Sequence, residues 1–162
     1  MGLFDKLKSV GKMITGGGAK VYVEVGNASV KQPFAVKVKA VVSDSDLKID
    51  GVYLLIRAEE EVRVSADSVL ESVRQAVKDF AADGRLDGVT EREQTCDIRL
   101  PVSGPQQLKA GQSYEWETTV SLPSGSAPTF RGRKCQHAWH LQAGLDATGN
   151  DPDSGWIEFH VA

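Results

Sequence analysis

The sequence predicts a mainly β protein: an antiparallel two-sheet β-sandwich with an N-terminal amphipathic helix and one inserted helix. In the last third of the chain, apolar and polar residues alternate in three segments, near residues 114–122, 136–145 and 157–161. Alternation with a period of two is typical of strands that bury one face. We therefore predict a single core formed by the inward residues Trp116, Trp139, Leu141, Val36, Val38 and Phe159.

The first element is an amphipathic helix over residues 2–14, in which apolar residues recur at helical spacing. Gly16, Gly17 and Gly18 then end the helix and form a hinge, so residues 1–18 make the first unit. We predict that this helix is a docking element for lipid or protein; the alternative is a helix folded back over an edge of its own sandwich or swapped into a second subunit. Its apolar face and flanking cations are Leu3, Phe4, Leu7, Val10 and Ile14, and Lys6, Lys8 and Lys12.

Residues 19–162 make the second unit, a single sandwich domain. Before the three segments of the last third, strands are predicted at residues 20–25, 34–42, 51–57 and 94–100. The segment at 51–57 is apolar on both faces, which is typical of a central or doubly covered strand.

A helical period interrupts these strands. Ser68 and Glu71 make a capping box, an apolar stripe follows at helical spacing, and Gly84 supplies the stop. The pattern predicts an inserted helix over about residues 68–83, packed on the sandwich through the stripe.

Composition limits the function classes. The chain has 162 residues, 41% of them hydrophobic and 25% charged, which suits one globular domain. A net charge of -3 offers no broad basic field, so no nucleic-acid partner is expected. The start of the chain lacks the apolar core and cleavage site of a secretory signal, which predicts a cytoplasmic protein. Cys96 and Cys135 are expected to be reduced thiols, with Cys96 buried.

The sequence contains candidate metal ligands, but their spacing does not match a metal-binding motif. His137 and His140 lie three apart on a strand and therefore point to opposite faces. Cys135 and His137 share a face, but two ligands are too few for a zinc site. The acidic segment over residues 146–153 does not match the calcium-loop pattern, and we interpret it as a solvated hairpin turn.

No nucleophile elbow, phosphate loop or zinc-protease motif occurs in the sequence. The run Glu59, Glu60, Glu61 is interpreted as a charged sheet edge that resists strand pairing. Trp116 and Trp139 are expected in the core rather than stacked on a ligand. The protein is therefore predicted to be no enzyme and to carry no cofactor and no metal.

Several short motifs, taken in order, resemble the N-terminal lobe of arrestin-like proteins, and the bacterial sporulation-control proteins among them in particular. The resemblance spans residues 19–161 and departs from the family at the inserted helix. It implies an arrestin-like, immunoglobulin-like sandwich, one lobe of the usual two, and a regulatory rather than catalytic role. The matching motifs are Ala19-Lys20-Val21, Ile49 to Leu54, Leu122-Pro123, Pro128, Gly132-Arg133, Trp139, Gly144-Leu145-Asp146, Asp151-Pro152-Asp153 and Ile157-Glu158.

These observations predict a cytoplasmic protein-interaction module of the sporulation- or stress-control type. The face that a second lobe would cover is then repurposed, paired in a homodimer, or covered by the inserted helix. One alternative is a peripheral membrane protein whose N-terminal helix docks on anionic lipid. Another is a small-ligand-binding sandwich. The sequence does not identify the protein partner.

Overall fold

The computed structural model describes residues 18–64 and 89–162, and every regular element in these ranges is a β-strand. The strands are β1 (Ala19–Val25), β2 (Phe34–Val42), β3 (Leu47–Val64), β4 (Val89–Ser103), β5 (Gln106–Leu108), β6 (Ser113–Val120), β7 (Phe130–Arg131), β8 (Cys135–Ala147) and β9 (Ile157–Phe159). Within these ranges no helix has the length and apolar character needed to cross a membrane.

The strands form two sheets. A three-stranded sheet has the order β1-β2-β6, and a larger sheet has the order β4-β3-β8-β7, with β5 paired to β3 and β9 paired to β8. Each of these pairings is antiparallel. Between the sheets, β1 contacts β8 and β4 contacts β6. The predicted mainly β, two-sheet antiparallel architecture is therefore confirmed. Both predicted helices lie outside the described residues.

Alternation along the strands explains why these segments form a sandwich. In β2 the residues Phe34, Val36, Val38 and Ala40 are buried and the three residues between them are exposed, as expected for a strand with one face in the core. The larger sheet contributes its own inward row, and the two rows meet face to face. Five of the six residues predicted for the core are buried: Trp139, Leu141, Val36, Val38 and Phe159. The sixth, Trp116, is partly exposed and packs against the core.

Strand β3 is the centre of the larger sheet, since it pairs with β4 on one side and β8 on the other. The central strand predicted at residues 51–57 is thus confirmed, but it is longer, running from Leu47 to Val64. This length corrects the interpretation of Glu59, Glu60 and Glu61 as a sheet edge, because all three residues have partners on both sides.

Candidate functional site

The predicted interaction residues of the N-terminal helix lie outside the described residues, as does the inserted helix. The prediction for Leu3, Phe4, Leu7, Val10 and Ile14, with Lys6, Lys8 and Lys12, therefore stays a prediction. The described residues contain a different candidate, on one lateral side of the sandwich.

This candidate is an apolar strip between the neighbouring edge strands β4 and β6. Ile98, Leu100 and Val102 alternate along β4 with exposed residues, and Tyr114 and Trp116 do so along β6. All five are partly buried and pack against the core. The Tyr114 and Trp116 rings stack with centroids 6.1 Å apart, and Tyr114 Oη accepts a hydrogen bond from the Lys109 backbone N–H at 2.9 Å. We call these five residues the lateral strip.

The opposite side of the sandwich is closed. There β9 pairs with β8, and a bridge joins Ala28 to Val161. The backbone N–H of Val161 donates to Thr129 Oγ1 at 2.9 Å, and the carbonyl of Val161 accepts from the Thr129 N–H at 2.8 Å. Trp139, Phe159 and Val161 are 1%, 4% and 0% exposed. The two sides therefore differ: apolar inward residues are covered beside β8 and partly exposed beside β4.

Both strands that border the lateral strip are sheet edges in the described part of the chain. Strand β4 pairs with β3, and β6 pairs with β2. An edge strand presents backbone donors and acceptors to an incoming chain. On the outer face of β6, Glu117 lies 3.7 Å from Lys37 and Glu115 lies 3.4 Å from Lys39. This side of the molecule can therefore offer an apolar surface, two backbone edges and a charged rim.

A second cluster is built around Glu61. Its carboxylate accepts hydrogen bonds from Arg63 Nε at 2.5 Å, Arg92 Nε at 2.8 Å and Gln136 Nε2 at 3.3 Å. Its side chain is 5% exposed, although those of both arginines are more than 60% exposed. The hydrogen bonds from Arg92 and Arg63 hold the pKa of Glu61 below its usual value. The cluster joins three strands at the end of the larger sheet, and we interpret it as structural.

The buried side chain of His137 makes hydrogen bonds within the fold through both ring nitrogens. Its Nε2 lies 2.7 Å from Thr95 Oγ1 and its Nδ1 lies 3.1 Å from the carbonyl oxygen of Pro128. Since a carbonyl oxygen can only accept, Nδ1 donates to Pro128, and the Thr95 hydroxyl forms a hydrogen bond with Nε2. Among residues 18–64 and 89–162, no three His, Cys, Asp or Glu side chains are grouped as metal ligands would be.

The acidic turn is held by its own backbone. Asp151 Oδ1 accepts from the Ala147 N–H at 3.0 Å, and Asp153 Oδ1 accepts from the Gly155 N–H at 2.7 Å. The Asp146 carboxylate receives a hydrogen bond from Arg99 at 3.2 Å. These contacts are those of a turn in which carboxylates satisfy nearby backbone donors.

A depression of about 490 Å³ lies on the outer face of the three-stranded sheet. Its charged lining includes Lys39 and Glu115, which already pair with each other. Ligand binding here would have to displace protein ion pairs on an exposed surface. The lateral strip is therefore the stronger candidate.

The two-sheet architecture defines the class of the protein, an antiparallel β-sandwich. No protein-family model matches the chain, and no curated protein matches it. Among solved structures, the chain is similar to Spo0M, a sporulation control protein from Bacillus subtilis, with a TM-score of 0.56 and 14% sequence identity. The likeness covers 90% of this chain and 49% of that one, so this chain spans about half the length of the protein it matches. The similarity is one of fold.

Sequence reasoning missed the lateral strip. It placed Trp116 in the core from its alternation with Glu115 and Glu117, and it treated residues 94–100 as an ordinary strand. Periodicity identifies which face of a strand is apolar, but it does not show whether the strand is central or at an edge. No local signal in the sequence separates Leu100 or Trp116 from a buried core residue.

Proposed function

We propose that this protein is a non-enzymatic, cytoplasmic regulatory module of the arrestin-like, sporulation- or stress-control type, and that it acts by binding a protein partner through the lateral strip. The fold similarity to a sporulation control protein supports the regulatory part of this proposal. The chemistry of the described surface supports the binding part.

The observation that carries the proposal is the partial exposure of Tyr114 and Trp116, two stacked aromatic side chains on the edge strand β6, which contacts the edge strand β4 and its apolar row. Tyrosine and tryptophan are enriched among the residues that dominate binding energy at protein interfaces. Each offers a large apolar area, and burying such area contributes roughly 25 cal/mol per Å². A partner that covers the strip would remove this area from water, and it could also pair with the edge of β4 or β6.

Trp116 and Trp156 provide a matched test, because both are partly exposed tryptophans on different surfaces. Trp156 is 40% exposed and lies under the guanidinium of Arg57, 4.7 Å from its ring centroid. Full-length wild type, Trp116→Ala and Trp156→Ala would be used as baits in native lysate of the source organism. Proteins captured by wild type and Trp156→Ala and lost with Trp116→Ala are the expected result, with circular dichroism confirming that each bait is folded.

The expected loss of affinity for a central aromatic residue is at least about 2 kcal/mol, roughly 30-fold in the dissociation constant. Equal capture by all three baits would assign the partner to another surface and reject the lateral strip as the binding site. Turnover of a substrate by the purified protein would instead reject the non-enzymatic role.

A further inference from the structure

The backbone of β2 shows which of its residues face β6. In an antiparallel sheet, successive residues direct their N–H and C=O groups alternately toward the two neighbouring strands. The carbonyl of Ala35 accepts from the Gly26 N–H at 2.9 Å, on the side of β1. The Val42 N–H donates instead to the carbonyl of Gln112 at 2.9 Å, just before β6. Even-numbered residues of β2 therefore face β6.

The free edge of β6 consequently carries the backbone groups of its odd-numbered residues. The pairing of β2 with β6 has no register shift, and even-numbered residues of the two strands lie opposite each other, as Val38 does with Trp116. Glu115, Glu117 and Thr119 therefore direct their N–H and C=O groups away from β2. Within the described part of the chain, no strand pairs with this edge. It can accept the backbone of a further strand.

The free edge of β4 is less suited to a further strand. The Arg63 N–H donates to a carbonyl just before β8 at 2.6 Å, so even-numbered residues of β3 face β4. Leu54 lies opposite Leu100, which places Pro101 at the free edge of β4. Proline has no N–H to donate to an added strand, and a register shift interrupts β4 at residues 94–96. We therefore expect strand addition at β6.

The other edge of the three-stranded sheet, at β1, has no exposed apolar row beside it. The inward residues Val21 and Val23 are 2% and 1% exposed, whereas Tyr114 and Trp116 on β6 are partly exposed. A strand added to β6 directs alternate side chains to the same face as these two aromatic rings. Backbone pairing and apolar burial therefore coincide at β6.

Charges on the outer face of the three-stranded sheet alternate in sign from strand to strand. Glu24 on β1 lies opposite Lys37 on β2, which lies opposite Glu117 on β6. In the next row, Lys39 lies opposite Glu115. The side chains of Glu115 and Glu117 are 71% and 59% exposed. Both rows end in a carboxylate at the free edge, and opposite charges on neighbouring strands are favourable. Lysine or arginine on the outer face of an added strand would continue the alternation.

From these observations we infer that the partner of the lateral strip binds as an extended strand added to the free edge of β6. Its inward side chains are large and apolar and cover Tyr114 and Trp116, and its outward side chains are basic and face Glu115 and Glu117. The added strand is antiparallel to β6, as the other neighbours in this sheet are. The inference rests on the proposed function and specifies the chemistry of the partner.

A second copy of the chain is a poor occupant of this edge. A two-fold pairing of β6 with itself, centred on Glu115, Trp116 or Glu117, places glutamates opposite glutamates. Like charges directly opposite each other are destabilising in a sheet. The occupant is therefore a different, basic segment.

Synthetic peptides test the inference with the purified full-length protein. The probe is an end-capped peptide of alternating lysine and leucine, about as long as the 8 residues of β6. Residues opposite each other in an antiparallel pair exchange hydrogen bonds, so the lysine N–H groups face β6 and the leucine N–H groups face away. Isothermal titration calorimetry measures the affinity. N-methylation of the lysine backbone should weaken binding at least about tenfold, and N-methylation of the leucine backbone should not.

The two methylated peptides have the same composition and the same number of methyl groups, so each is the control for the other. Loss confined to the leucine-methylated peptide would support an added strand that runs parallel to β6. Equal effects of both methylations would overturn strand addition, as would absence of binding by the unmethylated peptide at millimolar concentration.

Proline variants locate the edge that is used. Glu117→Pro removes an N–H that faces the free edge, whereas Glu117→Gln removes the charge and keeps the N–H. Asp97→Pro is the matched change at the free edge of β4. Affinity for the peptide should fall at least about tenfold in Glu117→Pro, fall about two- to threefold in Glu117→Gln, and stay unchanged in Asp97→Pro. Loss with Asp97→Pro alone would overturn the assignment to β6. The methylated peptides decide the question if a proline variant does not fold.

Failure of this inference differs from failure of the proposed function. If Trp116→Ala loses the peptide and Glu117→Pro keeps it, the lateral strip binds but strand addition is wrong. If Trp116→Ala captures the same proteins as wild type from lysate, the proposed function fails. A wild-type dimer that Glu117→Pro dissociates in analytical ultracentrifugation would place a second copy on the edge and overturn the basic partner.

Discussion

At the scale of single residues, the resemblance motif Gly144-Leu145-Asp146 has a structural explanation. Gly144 on β8 lies opposite Tyr53 on β3, and a Cβ at residue 144 would lie within 2.8 Å of three atoms of the Tyr53 side chain. The Arg99 guanidinium covers the same ring at 4.0 Å and donates to Asp146 at 3.2 Å. Burial and the nearby Asp151 carboxylate raise the pKa of Tyr53. The glycine is therefore required by an aromatic ring that crosses it.

Gly144→Ala should destabilise the fold by about 1–3 kcal/mol, because the ring must move from its packed position. Gly104→Ala is the matched control, since a Cβ there meets nothing within 4 Å. The measurement is the midpoint of urea unfolding. Combining Gly144→Ala with Tyr53→Ala should cost less than the sum of the single changes. If the two destabilisations were additive, the Tyr53 ring would not be the group that excludes a side chain at residue 144.

The Glu61 cluster predicts a specific dependence of stability on pH. Since hydrogen bonds from Arg92 and Arg63 lower the pKa of Glu61 in the folded state, its contribution to stability is present above the unfolded-state pKa of about 4.3. The contribution is lost as pH falls through the lower folded-state value. In thermal unfolding between about pH 5 and pH 3, Glu61→Gln should therefore lose less stability than wild type. Parallel curves for the two proteins would contradict this assignment.

At the scale of elements, β8 organises the larger sheet and holds the crossover that precedes it. Trp139 Nε1 donates to the carbonyl of Ala127 at 3.0 Å, and His137 Nδ1 donates to that of Pro128 at 3.1 Å. The Trp139 ring lies edge-on to His137 at 5.6 Å and contacts Phe159 at 6.3 Å. Strand β8 thus buries its aromatic side chains and also supplies hydrogen-bond donors to the backbone carbonyls of residues 127 and 128, which lie in a loop outside the sheets.

Trp139→Ala should destabilise the protein by about 3–5 kcal/mol, the usual cost of removing a large buried aromatic side chain. Trp156→Ala should cost about 0.5–1 kcal/mol, since this tryptophan is 40% exposed and contributes mainly its contact with Arg57. Chemical unfolding of the two variants gives the comparison. Similar costs would mean that Trp139 is not the centre of the core.

At the scale of the whole molecule, the two lateral sides of the sandwich differ in how completely their apolar residues are covered. The side beside β8 is sealed by the C-terminal segment, whose Ala162 N–H donates to the Ala28 carbonyl at 3.0 Å. The side beside β4 leaves the lateral strip partly exposed. A sealed side stabilises the fold, whereas an open apolar side is suited to binding.

Val161→Ala should cost about 1.5–2 kcal/mol, since two buried methyl groups at roughly 0.8 kcal/mol each are lost from a fully covered position. Val89→Ala, at a residue 54% exposed, should change stability by less than about 0.5 kcal/mol. Thermal unfolding of both variants measures the difference. If Val161→Ala proved as mild as Val89→Ala, the closing role of the C-terminal segment would be rejected.

The candidate site was less predictable than the fold. The N-terminal helix was identifiable from sequence because its apolar spacing is local, and it stays a prediction outside the described residues. The lateral strip depends on two strands, β4 and β6, that lie in different sheets. Neither Leu100 nor Trp116 differs in pattern from a core residue, so local sequence could not separate them from Leu141 or Trp139.

Alternation by itself determined that the chain forms antiparallel strands, which face of each strand is apolar, and that Val36, Trp139 and Phe159 are buried, because these properties follow from a two-residue period. Tertiary structure alone decided which strands are edges. It placed the carboxylates at 59–61 on a central strand, put Tyr53 across Gly144, and sealed one side of the sandwich but not the other. These outcomes depend on contacts between residues far apart in the chain, and hydrophobic periodicity does not record which segments become neighbours.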